Sequence, residues 1–383
     1  MSKKKMLKLF IIKLLALSCI ILVACENIIR GYIYWLIHNP RGAVWLSWSE
    51  DPCTTMTINW FWDIEDKAYV LYWNATYRGF VETHEPSRLF HVVLHGLSPG
   101  TKYHYVIGYY RGSKMVNWSD ILWFRTAPRD VREFTVLIHS DTHAPGYGAF
   151  EEFIESAQRE DFDFIIHCGD MVDRGTEFHW NSFLKTEEAI AKNYPLMTVI
   201  GNHEIMYGGK EYYPKFMCLP NRGYWYYFQY SNAMFIILNV SDYEHFVFPK
   251  EEEEMFIKAM EYAESNNLWR IVIFHVPVTL FFPSKIHPDA PRRLIPLLNK
   301  YKPHMVIMGH SHAYGRKIIN GTLYVIVGPS GGFPNMIVYD DNMPDKYEFE
   351  SGYILLRVSD EEIVLTYKSV DGDVLDIYKI KRR

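Results

Sequence analysis

Five short blocks carry the residue types that could do chemistry: Asp141-Thr142-His143, Gly169-Asp170-Met171-Val172-Asp173-Arg174, Gly201-Asn202-His203-Glu204, Phe274-His275 and Gly309-His310-Ser311-His312. Between them they offer Asp141, His143, Asp170, Asn202, His275, His310 and His312 as metal ligands. Carboxylate with imidazole suits Fe, Mn, Zn or Ni, and the lack of thiolate argues against a structural zinc site. A carboxylate can bridge two cations about 3.5–4 Å apart. Such a centre generates hydroxide from water at neutral pH and neutralises charge on phosphoryl oxygens. What remains is a proton for the leaving alkoxide, and His203, directly after a ligand, is placed to give it.

Each block follows an apolar run that reads as a buried strand. Asp141 and His143 follow Val136–His139, Asp170 follows Phe164–His167, and Asn202 follows Leu196–Ile200. His275 follows Ile271–Phe274, and His310 and His312 follow Met305–Met308. In open α/β sheets, ligands bind beyond the carboxyl ends of the strands, where all five blocks fall. Helices are expected at Phe150–Glu160, Glu177–Lys192, Glu251–Asn266 and Arg292–Lys300. The four acidic residues that open the third suit the positive end of a helix dipole and read as a solvated helix start. The tail returns to β structure at Leu323–Val327, Tyr353–Val358, Ile363–Tyr367 and Val374–Ile380. Two sheets packed face to face with helices outside would accommodate this order.

Before Pro128 the pattern is all β. About seven short strands between Arg41 and Arg125 read as a small sandwich. The chain therefore divides into 41–128 and 129–383, preceded by a leader over 1–25 and a tether over 26–40. Lys3, Lys4, Lys5 and Lys8 precede an apolar stretch, Leu14 to Cys25, of signal-peptide length. Leu22-Val23-Ala24-Cys25 also fits a lipoprotein cleavage box, so the leader is a cleaved signal, a lipid attachment at Cys25 or a retained anchor. An extracellular or membrane-face location follows from each, with the membrane reached only through that leader or lipid. The net charge of -5 offers no basic surface for nucleic acid. Composition leaves the oligomeric state open.

With these blocks in order, residues 133–383 resemble the calcineurin-like metallophosphoesterases. The preceding sandwich, with Leu97-Ser98-Pro99-Gly100-Thr101-Lys102-Tyr103 and Phe124-Arg125-Thr126-Ala127-Pro128, resembles the fibronectin-III-like domain of purple acid phosphatases, as does Gly309–Tyr314. The resemblance implies an α/β (α+β) four-layer αββα sandwich behind that domain. It implies that Asp141, His143 and His312 hold one metal, that Asn202, His275 and His310 hold the second, that Asp170 bridges, and that His203 is the proton donor. Two positions depart from purple acid phosphatases. Their iron-binding tyrosine, three residues after the bridging Asp, is replaced by Asp173, and His143 is extra, so no purple colour is expected. The Gly169–Gly175 block resembles that of Ser/Thr protein phosphatases instead, which implies Asp173 as partner of His203 and Arg174 as phosphate clamp. Tyr314, Arg316 and His287 are weaker candidates for lining a substrate pocket. Hydrolysis of a small phosphate monoester is the reading. A diesterase or nucleotidase with the same centre is the alternative, and a catalytically dead surface-binding protein is the alternative of another class.

Overall fold

The computed structural model describes residues 42–130, 132–146, 148–240, 248–278, 289–334 and 344–382. The leader, the tether, Cys25 and His287 lie outside them. Gly42–Arg383 is one compact unit.

Eight strands build the first 84 or so residues of that unit into two facing sheets. One holds β1 (Gly42–Ser47), β2 (Met56–Asp66) and β5 (Ser87–Leu94). The other holds β3 (Ala68–Trp73), β4 (Arg78–Glu82), β6 (Lys102–Arg111), β7 (Lys114–Asn117) and β8 (Leu122–Arg125). Period-2 burial points Trp60, Phe90, Val70, Tyr105 and Phe124 into the space between them. The sandwich does not hang from a linker. Leu46 forms a parallel bridge with Pro195, and Trp48 packs edge-on against Phe164 at 5.4 Å. Tyr105 Oη donates to the Lys192 carbonyl at 2.5 Å, so one continuous core joins the two halves.

After Pro128 two larger sheets form. In the first, β9 (Phe134–His139), β10 (Phe164–His167) and β11 (Leu196–Thr198) run parallel, and β19 (Gly352–Val358), β20 (Glu362–Ser369) and β21 (Val374–Lys381) extend it antiparallel. The second runs β12 (Tyr226–Tyr230), β13 (Ala233–Ile237), β14 (Trp269–Ile273), β15 (Met305–Met308), β17 (Thr322–Ile326), β16 (Tyr314–Ile319) and β18 (Lys346–Glu348). Alternation along β13 shows the layering. Phe235 and Ile237 face the core shared with the first sheet, while Met234 and Ile236 face Phe256, Met260 and Leu294. Those last three sit on α5 (Lys250–Ser265) and α6 (Asp289–Tyr301). On the opposite side lie α1 (Ala149–Ala157) and α2 (Glu177–Ala191), where Phe153 meets Tyr353 and Phe183 meets His167. The order is helix, sheet, sheet, helix. Two short helices, α3 (Asn202–Ile205) and α4 (Tyr212–Phe216), follow β11.

The acidic opening of α5 is only partly the solvated start that its composition suggests. Glu252 is fully buried, with Oε1 accepting from the Asn239 backbone N–H at 2.6 Å. Burial pushes its carboxyl up to about 8, although that N–H acts to lower it. The native state thus keeps a proton that the unfolded chain gives up above its ordinary value of 4.5. Stability should fall as pH rises from 4.5 toward about 8, by at most about 1.4 kcal/mol per unit. Glu252→Gln keeps the acceptor and removes the ionisation. Its melting temperature should match the parent at pH 5 and exceed it by several degrees at pH 8. Parallel pH profiles for the two proteins would refute this.

Candidate metal centre

The parallel strands of both sheets end on the same side, and there the blocks meet. β9 delivers Asp141 and His143, β10 delivers Asp170, β11 leads to Asn202 and His203, β14 to His275, and β15 to His310 and His312. Ligand-capable atoms converge in three groups: Asp141, His143 and His312; Asp170, His275 and His310; His143, Asp170 and His203. His143 and Asp170 sit in two groups or link them, as a paired centre requires. Asn202 Oδ1 lies 3.0 Å from His310 Nδ1, beside the second group.

Asp170 is tied at one oxygen and offers the other, while Asp141 is held at both. Asp141 Oδ2 accepts from Ser140 Oγ at 2.6 Å and from the His310 N–H at 2.9 Å, and that N–H also reaches Oδ1 at 3.1 Å. Its Oδ1 faces His312 Nε2 at 3.5 Å and His275 Nε2 at 4.0 Å. Asp170 Oδ1 accepts from the His203 N–H at 2.9 Å, while Oδ2 faces His275 Nε2 at 3.0 Å and His143 Nε2 at 3.9 Å.

Backbone carbonyls fix the imidazoles. Nδ1 of His275, His203 and His312 each meets a carbonyl at 2.7 Å, from Cys168, Asp173 and Phe333 respectively. A carbonyl only accepts, so each Nδ1 carries a proton and Nε2 turns its lone pair inward in the neutral ring. His275 Nε2 then faces Asp170 Oδ2 with acceptor against acceptor, and His143 Nε2 meets His312 Nε2 at 2.9 Å. Only protons or cations between such atoms relieve the repulsion. Burial lowers His275, but the Asp170 carboxylate overrides it and holds the ring up at about 9. His143 and His310 are pushed down to about 3, chiefly by burial. A buried group of two carboxylates and mostly neutral imidazoles calls for positive charge, and two metal ions fit the donor set.

The backbone is strained where the ligands sit. Asp141, His143, Asp170, His310 and His312 all have φ between 48° and 72°, a left-handed conformation that costs non-glycine residues energy. Gly169, at φ 98°, lies under His275: a Cβ there would come within 2.5 Å of Nδ1. Gly169→Ala should displace that ring and lower turnover on the order of 10²-fold, the cost of misplacing a reacting group by about 1 Å. Turnover within threefold of the parent would contradict it.

Other expected site residues are placed differently. The ring of His203 meets Asp173 through that residue's carbonyl, not its carboxylate. The Asp173 carboxylate instead pairs with Arg174 Nε at 3.7 Å on a partly exposed loop. For His203, burial acts downward, but Asp170, the Asp173 carbonyl, Glu204 and, least of these, the Asp173 carboxylate raise it overall. Tyr314 and Arg316, expected in the pocket, lie on β16 with side chains committed to Asp376 of β21. Tyr314 is buried, stacks on Tyr367 and donates to Asp376 Oδ2 at 2.7 Å, and Arg316 grips both oxygens of that carboxylate. Alternation along β16 sends both side chains to the same neighbour, so they staple the two sheets together. Glu204 is fully buried and accepts from the N–H groups of Asp170, Val172 and Gly201. Sequence reasoning missed Ser140 and the carbonyls of Cys168 and Phe333. A serine directly before Asp141 was a usable signal; a carbonyl carries none. A groove of about 810 Å³ lies elsewhere, between the turn at 49–53 and β12.

The calcineurin-like phosphoesterase family matches residues 134–314, and the purple acid phosphatase N-terminal domain matches residues 40–126. The chain joins a calcineurin-like phosphoesterase domain to a purple acid phosphatase N-terminal domain. The chain is 24% identical over 364 residues to an Arabidopsis thaliana protein named "Probable inactive purple acid phosphatase 1", covering 78% of this chain and 58% of that one. It is 25% identical over 263 residues to acid phosphatase type 7 of Mus musculus, covering 61% and 59%. It thus spans less than two thirds of the length of these relatives. In fold it is similar to the purple acid phosphatase PPD1 of yellow lupin (Lupinus luteus), with TM-score 0.73 at 21% identity over 88% of this chain and 74% of that one. PhoD follows at TM-score 0.67 and 13% identity, over 89% and 90%.

Proposed function

We propose that this phosphoesterase hydrolyses phosphate monoesters at a centre of two metal ions. The observation that carries the reading is the convergence of six His and Asp residues at the shared ends of two sheets, with Asn202 beside them and the Nε2 lone pairs of His275 and His312 turned inward. Asp141, His143 and His312 would hold one ion, Asn202, His275 and His310 the other, with Asp170 between them. Bound there, the ions would supply Lewis acidity toward phosphoryl oxygens and activate a water. His203 stands at the rim, its side chain 26% exposed and Nε2 4.0 Å from Asp170 Oδ2. That placement lets its ring hand a proton to a departing alkoxide. Asp141, Asp170 and His275 are buried while His203, His310 and His312 are partly exposed, so the ester would enter from the face these three imidazoles share.

The name of the Arabidopsis relative raises the reading of a chain without catalysis. Every ligand position is filled here, which favours the enzyme. We further propose an extracellular or membrane-face location, resting on the basic and apolar leader and on Cys25. Elemental analysis of the purified chain, with turnover of p-nitrophenyl phosphate and bis-p-nitrophenyl phosphate before and after chelation, tests the function. Near two metals per chain and chelator-sensitive turnover, faster on the monoester, is the expected result. A faster diester would make it a diesterase. No bound metal and no turnover after addition of Mn, Fe, Zn or Ni would favour the binding protein.

The geometry at His203 also changes what is expected of Asp173. Because the carbonyl orients the ring, Asp173→Asn should leave kcat within about threefold and move the pH profile little, as partly exposed charges interact weakly. A loss above tenfold would restore the carboxylate as the partner of His203.

A further inference from the structure

Behind the metal centre lies a chain of buried hydrogen bonds that no ligand assignment uses. The Gly169 N–H donates to His167 Nδ1 at 3.2 Å. An Nδ1 that accepts carries no proton, so the neutral ring holds its proton on Nε2. Nε2 then donates to Thr142 Oγ1 at 3.0 Å, and the Thr142 hydroxyl donates onward to the Met171 carbonyl at 2.9 Å. Every direction in the chain is fixed by its two ends, an N–H that can only donate and a carbonyl that can only accept. Both side chains are fully buried.

The path leaves the backbone at residue 169 and returns at 171, so it spans Asp170. Midway it passes through Thr142, which stands between Asp141 and His143. The two loops also touch through the backbone: Asp141 N–H to the Gly169 carbonyl at 3.0 Å, and His143 N–H to the Asp170 carbonyl at 3.1 Å. Asp141, His143 and Asp170 are the three ligands here that hold left-handed backbone at φ 53°, 48° and 54°. Such backbone persists only where its surroundings over-determine it.

We propose that Thr142 and His167 are positioning residues that lock the Asp141–His143 loop to the Asp170 loop and so set the spacing of the two metal sites. The inference rests on the two-metal reading above. Outer hydrogen-bond partners of metal ligands are commonly worth about 10–100-fold in metal affinity. Thr142→Val keeps the shape and deletes the hydroxyl, leaving His167 Nε2–H against a methyl group while the Met171 carbonyl keeps the Ala144 N–H at 2.9 Å. Thr142→Ser keeps the hydroxyl and deletes a methyl.

The test is Mn and Zn binding to the full chain, by chelator competition and calorimetry, with circular dichroism to check folding. Thr142→Val should weaken binding by about 10–100-fold at temperatures well below its melting point, and Thr142→Ser should restore it to within about threefold. A role in packing alone predicts the opposite order, since Ser loses the volume and Val keeps it. His167→Phe, which keeps an aromatic ring without nitrogens, should behave as Val does. Parent-like affinity in folded Thr142→Val, or a loss in Thr142→Ser as large as in Val, overturns the proposal. If Val does not fold, the Ser and Phe variants decide by the same criteria. A parent chain that binds two metals while the variants do so equally well sinks the lock alone. A parent that binds none sinks the two-metal reading and the lock with it.

Discussion

Asp170→Asn should abolish turnover, by on the order of 10³-fold or more, and release at least one metal per chain while leaving the fold intact. The asymmetry of the carboxylate explains all three parts. Oδ1 serves the backbone by accepting from the His203 N–H, and an amide oxygen can continue to do so. Oδ2 serves the centre, facing His275, His143 and His203. In the variant that position becomes an NH2 group, which turns protons toward the lone pair of His275 and toward the place a shared cation needs. The charge that could balance two cations at once disappears. The metal-free fold should tolerate the change, because the NH2 group can donate to His275 Nε2 and one buried negative charge is removed. Asp170 is held well below the usual carboxylate range by His275, His203 and His143, which outweigh its burial, so it is ionised in the parent. Three measurements check the prediction together: elemental analysis, p-nitrophenyl phosphate turnover, and melting temperature with and without chelator. Chelator should lower the melting temperature of the parent markedly and that of the variant much less, since a metal that binds only the native state stabilises it. Two metals per chain and turnover within tenfold of the parent would remove Asp170 from the bridging role.

How much of this was legible in the sequence depends on what carried each feature. The residues that cluster were readable because they are written in side-chain types at the ends of apolar runs. β10 and β15, buried on both faces, were predicted to the residue as Phe164–His167 and Met305–Met308. The orientation of the ligands was not readable. It comes from the carbonyls of Cys168, Asp173 and Phe333, and any residue at those positions supplies the same atom. For the same reason the Asp173 side chain gives no sign that its backbone carbonyl meets the His203 ring. The left-handed residues were hidden too, because Asp and His do not advertise positive φ as glycine does. Tyr314 and Arg316 misled through proximity: directly after the last ligand pair, they read as pocket wall, yet β16 starts at Tyr314 and turns both toward Asp376. Glu252 misled through composition, since an acidic run at a helix start gives no sign that one member points inward.

Glu204 is where the loss of one side chain should cost the fold most. Its carboxylate is fully buried and collects three backbone N–H groups, from Gly201 at 2.7 Å, Asp170 at 2.9 Å and Val172 at 3.2 Å. Two of those donors belong to the left-handed stretch around Asp170, and the third starts the block that carries Asn202 and His203. The residue therefore ties the Asp170 loop to the His203 loop. Glu204→Ala would leave three buried N–H groups without an acceptor, at about 1–3 kcal/mol each where water cannot reach them. A loss of several kcal/mol is expected, a large share of the total stability of a typical domain. Glu204→Gln separates hydrogen bonding from volume. Its single oxygen can take the place of Oε2, which serves Gly201 and Asp170, but its NH2 group then meets the Val172 N–H, donor against donor. That variant should lose about 1–3 kcal/mol, with a lower melting temperature in the presence of chelator as well as in its absence. The chelator arm is decisive. A residue that acted only by holding metal would cost nothing once the metal was gone, whereas a backbone acceptor costs the same in both states. If Glu204→Gln and the parent melt together under chelator, Glu204 is not the support of these loops, and its burial needs another account.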